Sequence, residues 1–163
     1  MNASTLLLGG TIFSSAFLLF LVQPLMAKQI LPWFGGSAAV WTVCMVFFQV
    51  LLLAGYAYAD LLTRRLSLRL QTRVHAGVLL VSLLSLPVIA HERWKPAAES
   101  DPTLWIIGLL LATIGLPYFV VSTTGPLLQA WVSRSPSAAQ VYRYFSLSNF
   151  ASLLALLAYP VAI

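Results

Sequence analysis

Residues 1–27, 29–59, 74–90, 102–133 and 144–163 contain no Asp, Glu, Lys or Arg. A hydrocarbon core about 30 Å thick needs about 20 apolar residues per crossing helix, so each run is a candidate span. Only 8% of the residues are charged and 60% are hydrophobic, against about 25% charged in a soluble domain. Backbone groups in lipid must be satisfied within a helix or a closed barrel, and these runs lack the alternation of barrel strands. The expected fold is therefore all-α: a polytopic membrane helix bundle of about five transmembrane helices, a single domain over residues 1–163.

The helices are placed at about 5–27, 38–62, 74–90, 103–132 and 144–163. The first is not read as a cleaved leader. It lacks a basic opening, and a cut after Ala27 would put Leu25 where a small residue is required. The single cysteine, Cys44, lies mid-span, which excludes an internal disulfide and fits a packing role.

Arginine clustering sets the expected orientation. Arg64, Arg65, Arg69 and Arg73 crowd the second connection, which the bias of Lys and Arg toward the cytoplasm places inside. Threading from there puts the N-terminus, Arg134 and Arg143 inside, with Lys28, Arg93 and Lys95 outside. Glu92, Glu99 and Asp101 accompany Arg93 and Lys95, so the net charge of +5 concentrates on the cytoplasmic face. Juxtamembrane arginines facing anionic headgroups account for that balance without nucleic acid as a partner. The lipid bilayer is the expected partner, together with other membrane helices or subunits.

The fourth span is too long to be simple. About thirty residues make roughly 45 Å of straight helix, and Gly115-Leu116-Pro117 and Ser122-Thr123-Thr124-Gly125-Pro126 offer two break points. A kink or discontinuity is expected around Thr124 to Pro126. Broken helices at membrane depth can line cavities; equally, neighbouring helices and the Ser122, Thr123 and Thr124 hydroxyls can heal a proline kink. The segment after the first helix, residues 23–37, combines Pro24, Lys28, Pro32, Trp33 and the Gly35-Gly36 pair. Lys28 either holds an anionic group in a cavity or snorkels to the interface beside Trp33 and Trp41.

Candidate cavity or substrate contacts are Gln23, Lys28, Gln49, Thr123, Thr124 and Asn149, although buried amides serve equally as bridges between helices. Asp60, Arg64 and Arg65 form a candidate gating loop at the cytoplasmic end of the second helix. Catalytic motifs are missing: there is no dinucleotide or phosphate-binding glycine loop, no H-E-x-x-H and no Cys-x-x-Cys. His75 and His91 fall on opposite sides of the expected topology, so no metal site is assigned. No catalytic residue and no cofactor are expected of this chain alone.

Three irregular stretches carry a family resemblance: LVQPLMAKQILPWFGGSAAVWTVCMVFFQVLLLAGYAYAD (21–60), GLPYFVVSTTGPLLQAW (115–131) and YRYFSLSNFASLLALLAYP (142–160). Together they resemble the N-terminal membrane region of bacterial spermidine synthase-like membrane proteins. That resemblance implies a fold like part of a major facilitator half, a bacterial inner-membrane location and a soluble aminopropyltransferase-like domain as a possible neighbour. It brings no catalytic residue onto this sequence. Asp60 followed by Arg64 and Arg65 is similar to the acidic residue and basic pair between facilitator helices two and three. The motif is degenerate, with Leu61, Thr63 and a displaced Gly55 where the family has a basic residue and glycines.

A facilitator half has six helices, so further membrane chain beyond Ile163, or completion of the bundle by other chains, is expected from the resemblance. The function it implies is a transporter-like domain that positions or passes a small molecule, polyamine chemistry being the family theme. A polycation wants carboxylates and aromatic faces, and no Asp or Glu lies mid-membrane here. The reading from a different class is a structural or accessory subunit of a larger membrane complex, with Gly9, Gly10, Ser14, Ser15 and Ala16 permitting close helix contacts.

Overall fold

The computed structural model describes residues 3–88, 94–95, 102–135 and 140–162. Every regular element among them is helical. In chain order these are α1 (Ala3–Phe34), α2 (Ala38–Arg65), α3 (Leu68–Leu84), α4 (Pro102–Leu110), a π-helical turn (Leu111–Gly115), α5 (Leu116–Ser133) and α6 (Val141–Ala162). Since α4, the π turn and α5 form one continuous rod, the described residues make five rods. Four of them are long and apolar enough to cross a membrane. The protein is a multi-pass membrane bundle.

Several boundaries differ from those expected. α1 continues through Pro24 and Pro32 to Phe34, so Lys28 is helical and not part of a connection. A proline removes one helical donor, a loss that membrane helices tolerate where neighbours re-satisfy the freed carbonyl. The true stop is the glycine pair, Gly35 at φ 89° and Gly36 at φ 59°. The Gly36 amide donates back to the Leu31 carbonyl at 3.1 Å, a helix-ending motif that needs left-handed backbone. Ser37 then caps α2, its hydroxyl accepting from the Val40 amide at 3.4 Å.

α3 starts and ends six residues earlier than the expected 74–90. Its 17 residues make only about 25 Å, and Arg69 and Arg73 occupy its opening turns. The residues it buries are polar, namely Gln71, His75 and Ser82, while Leu79, Leu80, Leu83 and Leu84 point outward. This inside-out pattern suits a helix with lipid on its outer side. Of the kink or discontinuity expected at Thr124–Pro126, the discontinuity is not found: α5 stays helical through Pro126. Each nearby hydroxyl bonds back to its own helix, Ser122 to Phe119 O at 2.7 Å, Thr123 to Val120 O at 2.7 Å and Thr124 to Val120 O at 2.9 Å. The irregularity sits upstream, where Pro117 follows the π turn and its missing N–H favours a wider turn.

Packing divides into two helix pairs, α1 with α6 and α2 with α5, joined across α1 and α5. α1 and α6 run parallel: Tyr144 packs with Ile12 near their starts, and the Tyr159 hydroxyl donates to Pro24 O at 3.4 Å toward their ends. Lipid tails are as apolar as leucine, so such contacts depend on small residues and close fit more than on hydrophobicity. Ala151 and Ala155, both at 0% exposure, are the α6 residues sunk deepest. At Gly55 a Cβ would collide with the Ser122 side chain, so the α2–α5 approach requires glycine there.

Charge is segregated along the bundle. Arg134 Nη2 donates to Thr63 O at 2.9 Å, tying the end of α5 to the end of α2. The start of α1, the end of α2, the start of α3, the end of α5 and the start of α6 therefore share one end. Arg64, Arg65, Arg69, Arg73, Arg134 and Arg143 all lie there. At the opposite end, Lys95 stands 5.5 Å from the Trp33 ring centre. His91, Glu92, Arg93, Glu99 and Asp101 lie outside the described residues.

Candidate functional site

A partly open cavity of about 480 Å³, with several polar side chains in its lining, lies where α1, α2, α5 and α6 meet. α1 contributes Ser15, Ala16, Leu19 and Phe20; α2 contributes Tyr56; α5 contributes Val121, Ser122, Gly125, Pro126 and Gln129; α6 contributes Phe145, Ser148, Asn149 and Ser152. The lining carries no formal charge. Hydroxyls and amides alternate with two phenylalanines, a pattern of apolar walls with a few orienting polar groups that suits small-molecule pockets.

Local helix geometry explains the set. Ser148 and Ser152 are four residues apart on α6 and so share a face, as do Ser15 and Leu19 on α1. The Ser15 hydroxyl is spent on Ile12 O at 3.1 Å and the Ser152 hydroxyl on Ser148 O at 2.9 Å. The side chains of Gln129, Asn149 and Tyr56 form no hydrogen bond among the described residues, leaving their donors and acceptors to the cavity. Gly125 and Pro126 keep that side of α5 thin; a Cβ on Gly125 would meet no atom within 4 Å.

Of the six candidate cavity contacts, Gln23, Lys28, Gln49, Thr123, Thr124 and Asn149, only Asn149 lines this cavity. Gln23 acts between helices instead: its side-chain amide donates to the Tyr118 hydroxyl at 2.6 Å and to Leu19 O at 3.3 Å. Lys28 is exposed toward the opposite end of α1, beside a separate surface cleft with Val22, Met26 and Val88. Gln49 is exposed on α2 in line with Val46, Val50 and Leu53, the outward stripe. Thr123 is fully buried, Thr124 half-buried, and both hydroxyls are internally bonded. The expected motif thus reaches the cavity through Ser122, Gly125 and Pro126, and not through the two threonines.

Asp60 and Arg64 pair at 2.7 Å as an exposed i, i+4 bridge, and Arg65 is exposed beside them. These three stay together, at the basic end and outside the cavity lining. Next to them α3 is held by its polar face. Gln71 donates to Leu66 O at 2.8 Å and accepts from the Trp131 indole at 2.7 Å. One turn further, Tyr58 and His75 face each other at 6.2 Å between ring centres. The Tyr58 hydroxyl and His75 Nδ1 are buried without a hydrogen-bond partner among the described residues.

Tyr56, Gln129, Ser148 and Ser152 escaped the sequence reading. The signal for the last two was the cluster Ser148-Asn149…Ser152 at helical spacing, a polar face on an otherwise apolar helix. Gln129 and Tyr56 sit singly among apolar neighbours and give no such pattern. Among the described residues no three His, Cys, Asp or Glu come together as a metal site, and Cys44 is free and buried. No family model matches this chain, and no curated protein or solved structure matches it.

Proposed function

We propose that the chain is a transporter-like domain of a spermidine synthase-like membrane protein, and that it positions or passes a small molecule through the cavity among α1, α2, α5 and α6. The observation that carries this reading is the contrast between lining and exterior. Polar groups cluster around a space of about 480 Å³, within a bundle that presents Leu53, Leu84, Leu157 and Val161 outward. Tyr56 and Asn149 are exposed and Gln129 is half-buried, with no hydrogen-bond partner among the described residues; polar groups turned unpaired toward lipid are costly, which argues for a wetted, ligand-accepting space. The lining offers no carboxylate to a polyamine, so an uncharged polar solute suits it better than a polycation. The arginine-rich end supports a cytoplasmic N-terminus in a bacterial inner membrane.

The test is solute entry into proteoliposomes holding the purified chain, with labelled spermidine, a polyol and a nucleoside as probes. Flux of at least one probe above empty liposomes, lost in Asn149→Leu, supports the proposal. Absence of flux for all probes, with stable co-purification of other membrane subunits, supports an accessory role. That second reading is favoured by α6, which buries little beyond Tyr144, Ala151 and Ala155 and leaves a broad apolar face for another helix.

A further inference from the structure

A second groove, of about 780 Å³, lies between the opening turns of α1 and α6 at the arginine-rich end. Thr5, Gln140 and Arg143 stand at its mouth; Gly9, Gly10, Phe13 and Leu147 line it further in. From Thr5 to Ser14 it follows α1 for about 13 Å, close to the roughly 15 Å depth of one hydrocarbon leaflet. Gly9 meets α6, since its Cβ would lie 3.5 Å from Leu147. Gly10 leaves the groove open, with no atom within 4 Å of a Cβ built there. Arg143 is exposed in the first turn of α6 and forms no ion pair with a described residue. A cation at headgroup depth above a mainly apolar slot, which also holds Ser14 and Tyr144 and is about as deep as one leaflet, is complementary to a lipid with a negative headgroup.

We propose that this groove binds one anionic phospholipid, its phosphate on Arg143 and one acyl chain along Gly10 and Phe13. The site is separate from the central cavity and does not depend on the transport reading. The test is native mass spectrometry of the full chain, released from detergent containing equal phosphatidylglycerol and phosphatidylcholine of the same acyl chains. The wild type should retain one phosphatidylglycerol in preference to phosphatidylcholine. Arg143→Gln should reduce that retention about fivefold, while Arg69→Gln, at the same end but outside the groove, leaves it unchanged. Gly10→Leu should obstruct the acyl slot and lower retention of both lipids. Equal retention of the two headgroups, or unchanged retention in Arg143→Gln, overturns the proposal. So does a lipid-free dimer that Gly10→Leu dissociates, which would make a second copy the occupant. Arg143 is exposed, so its variant reads binding and not folding.

Discussion

Gly55→Ala tests the closest helix contact in the bundle. In an open helix position, Gly to Ala stabilises by about 0.5–1 kcal/mol, because glycine loses more backbone freedom on folding. At Gly55 the new Cβ collides with Ser122 Oγ and also lies 3.0 Å from Ser122 Cβ and 3.3 Å from its carbonyl carbon. The hydroxyl can rotate, but the Cβ and backbone cannot withdraw unless α5 moves away from α2. Overpacking of this kind costs about 1–3 kcal/mol, enough to reverse the sign of the propensity gain. Ser122→Ala removes the worst of the clash and should recover part of the loss, giving a double-mutant coupling of about 0.5–2 kcal/mol. Helicity against temperature in a mild detergent reads the effect, with Gly77→Ala, which meets nothing within 4 Å, as the reference. A Gly55→Ala protein as stable as the Gly77→Ala protein would refute the α2–α5 contact.

The polar face of α3 gives two variants of opposite sign. Trp131→Phe strips the indole donor from the buried Gln71 amide and should cost about 1–3 kcal/mol, with part of the loss recovered by adding Gln71→Leu. His75→Leu removes a buried nitrogen that has no partner, so it should be neutral or stabilising in the same unfolding assay. Asp60→Asn breaks only an exposed pair, and its unfolding midpoint should move by no more than about 0.5 kcal/mol equivalent; a larger drop would give the Asp60–Arg64 bridge a structural weight that its exposure denies.

The all-helical membrane class was legible because charge-free runs longer than a bilayer crossing admit few other folds. Boundaries were less so. The first helix was expected to end at Ala27 and the fourth to kink or break near Pro126, yet α1 runs through Pro24 and Pro32 to Phe34 and α5 stays helical through Pro126, since membrane helices tolerate the lost donor. The Gly35-Gly36 pair was the better signal, because positive φ ends a helix whatever surrounds it. The cavity was only partly legible. Asn149 stood out as an amide in an apolar run, but Gln23 and Gln49 stood out equally, and only tertiary packing sets one at the cavity, one against Tyr118 and one on the outward stripe. Ser122, not Thr123 or Thr124, faces the space because helix phase, set by the α2–α5 contact at Gly55, turns it there.

Thiol accessibility tests the central claim, a water-accessible polar cavity inside a lipid-clad bundle. Single cysteines are placed at Asn149 and Ser152 in the cavity lining and at Leu153 and Leu157 on the outer face of α6; each is exposed to a small charged thiol reagent in liposomes. Native Cys44, buried at 1% exposure, serves as an unreactive internal standard. Rapid modification at 149 and 152, with 153 and 157 silent, is the expected result. Silence at 149 and 152, or modification of all four alike, would contradict it.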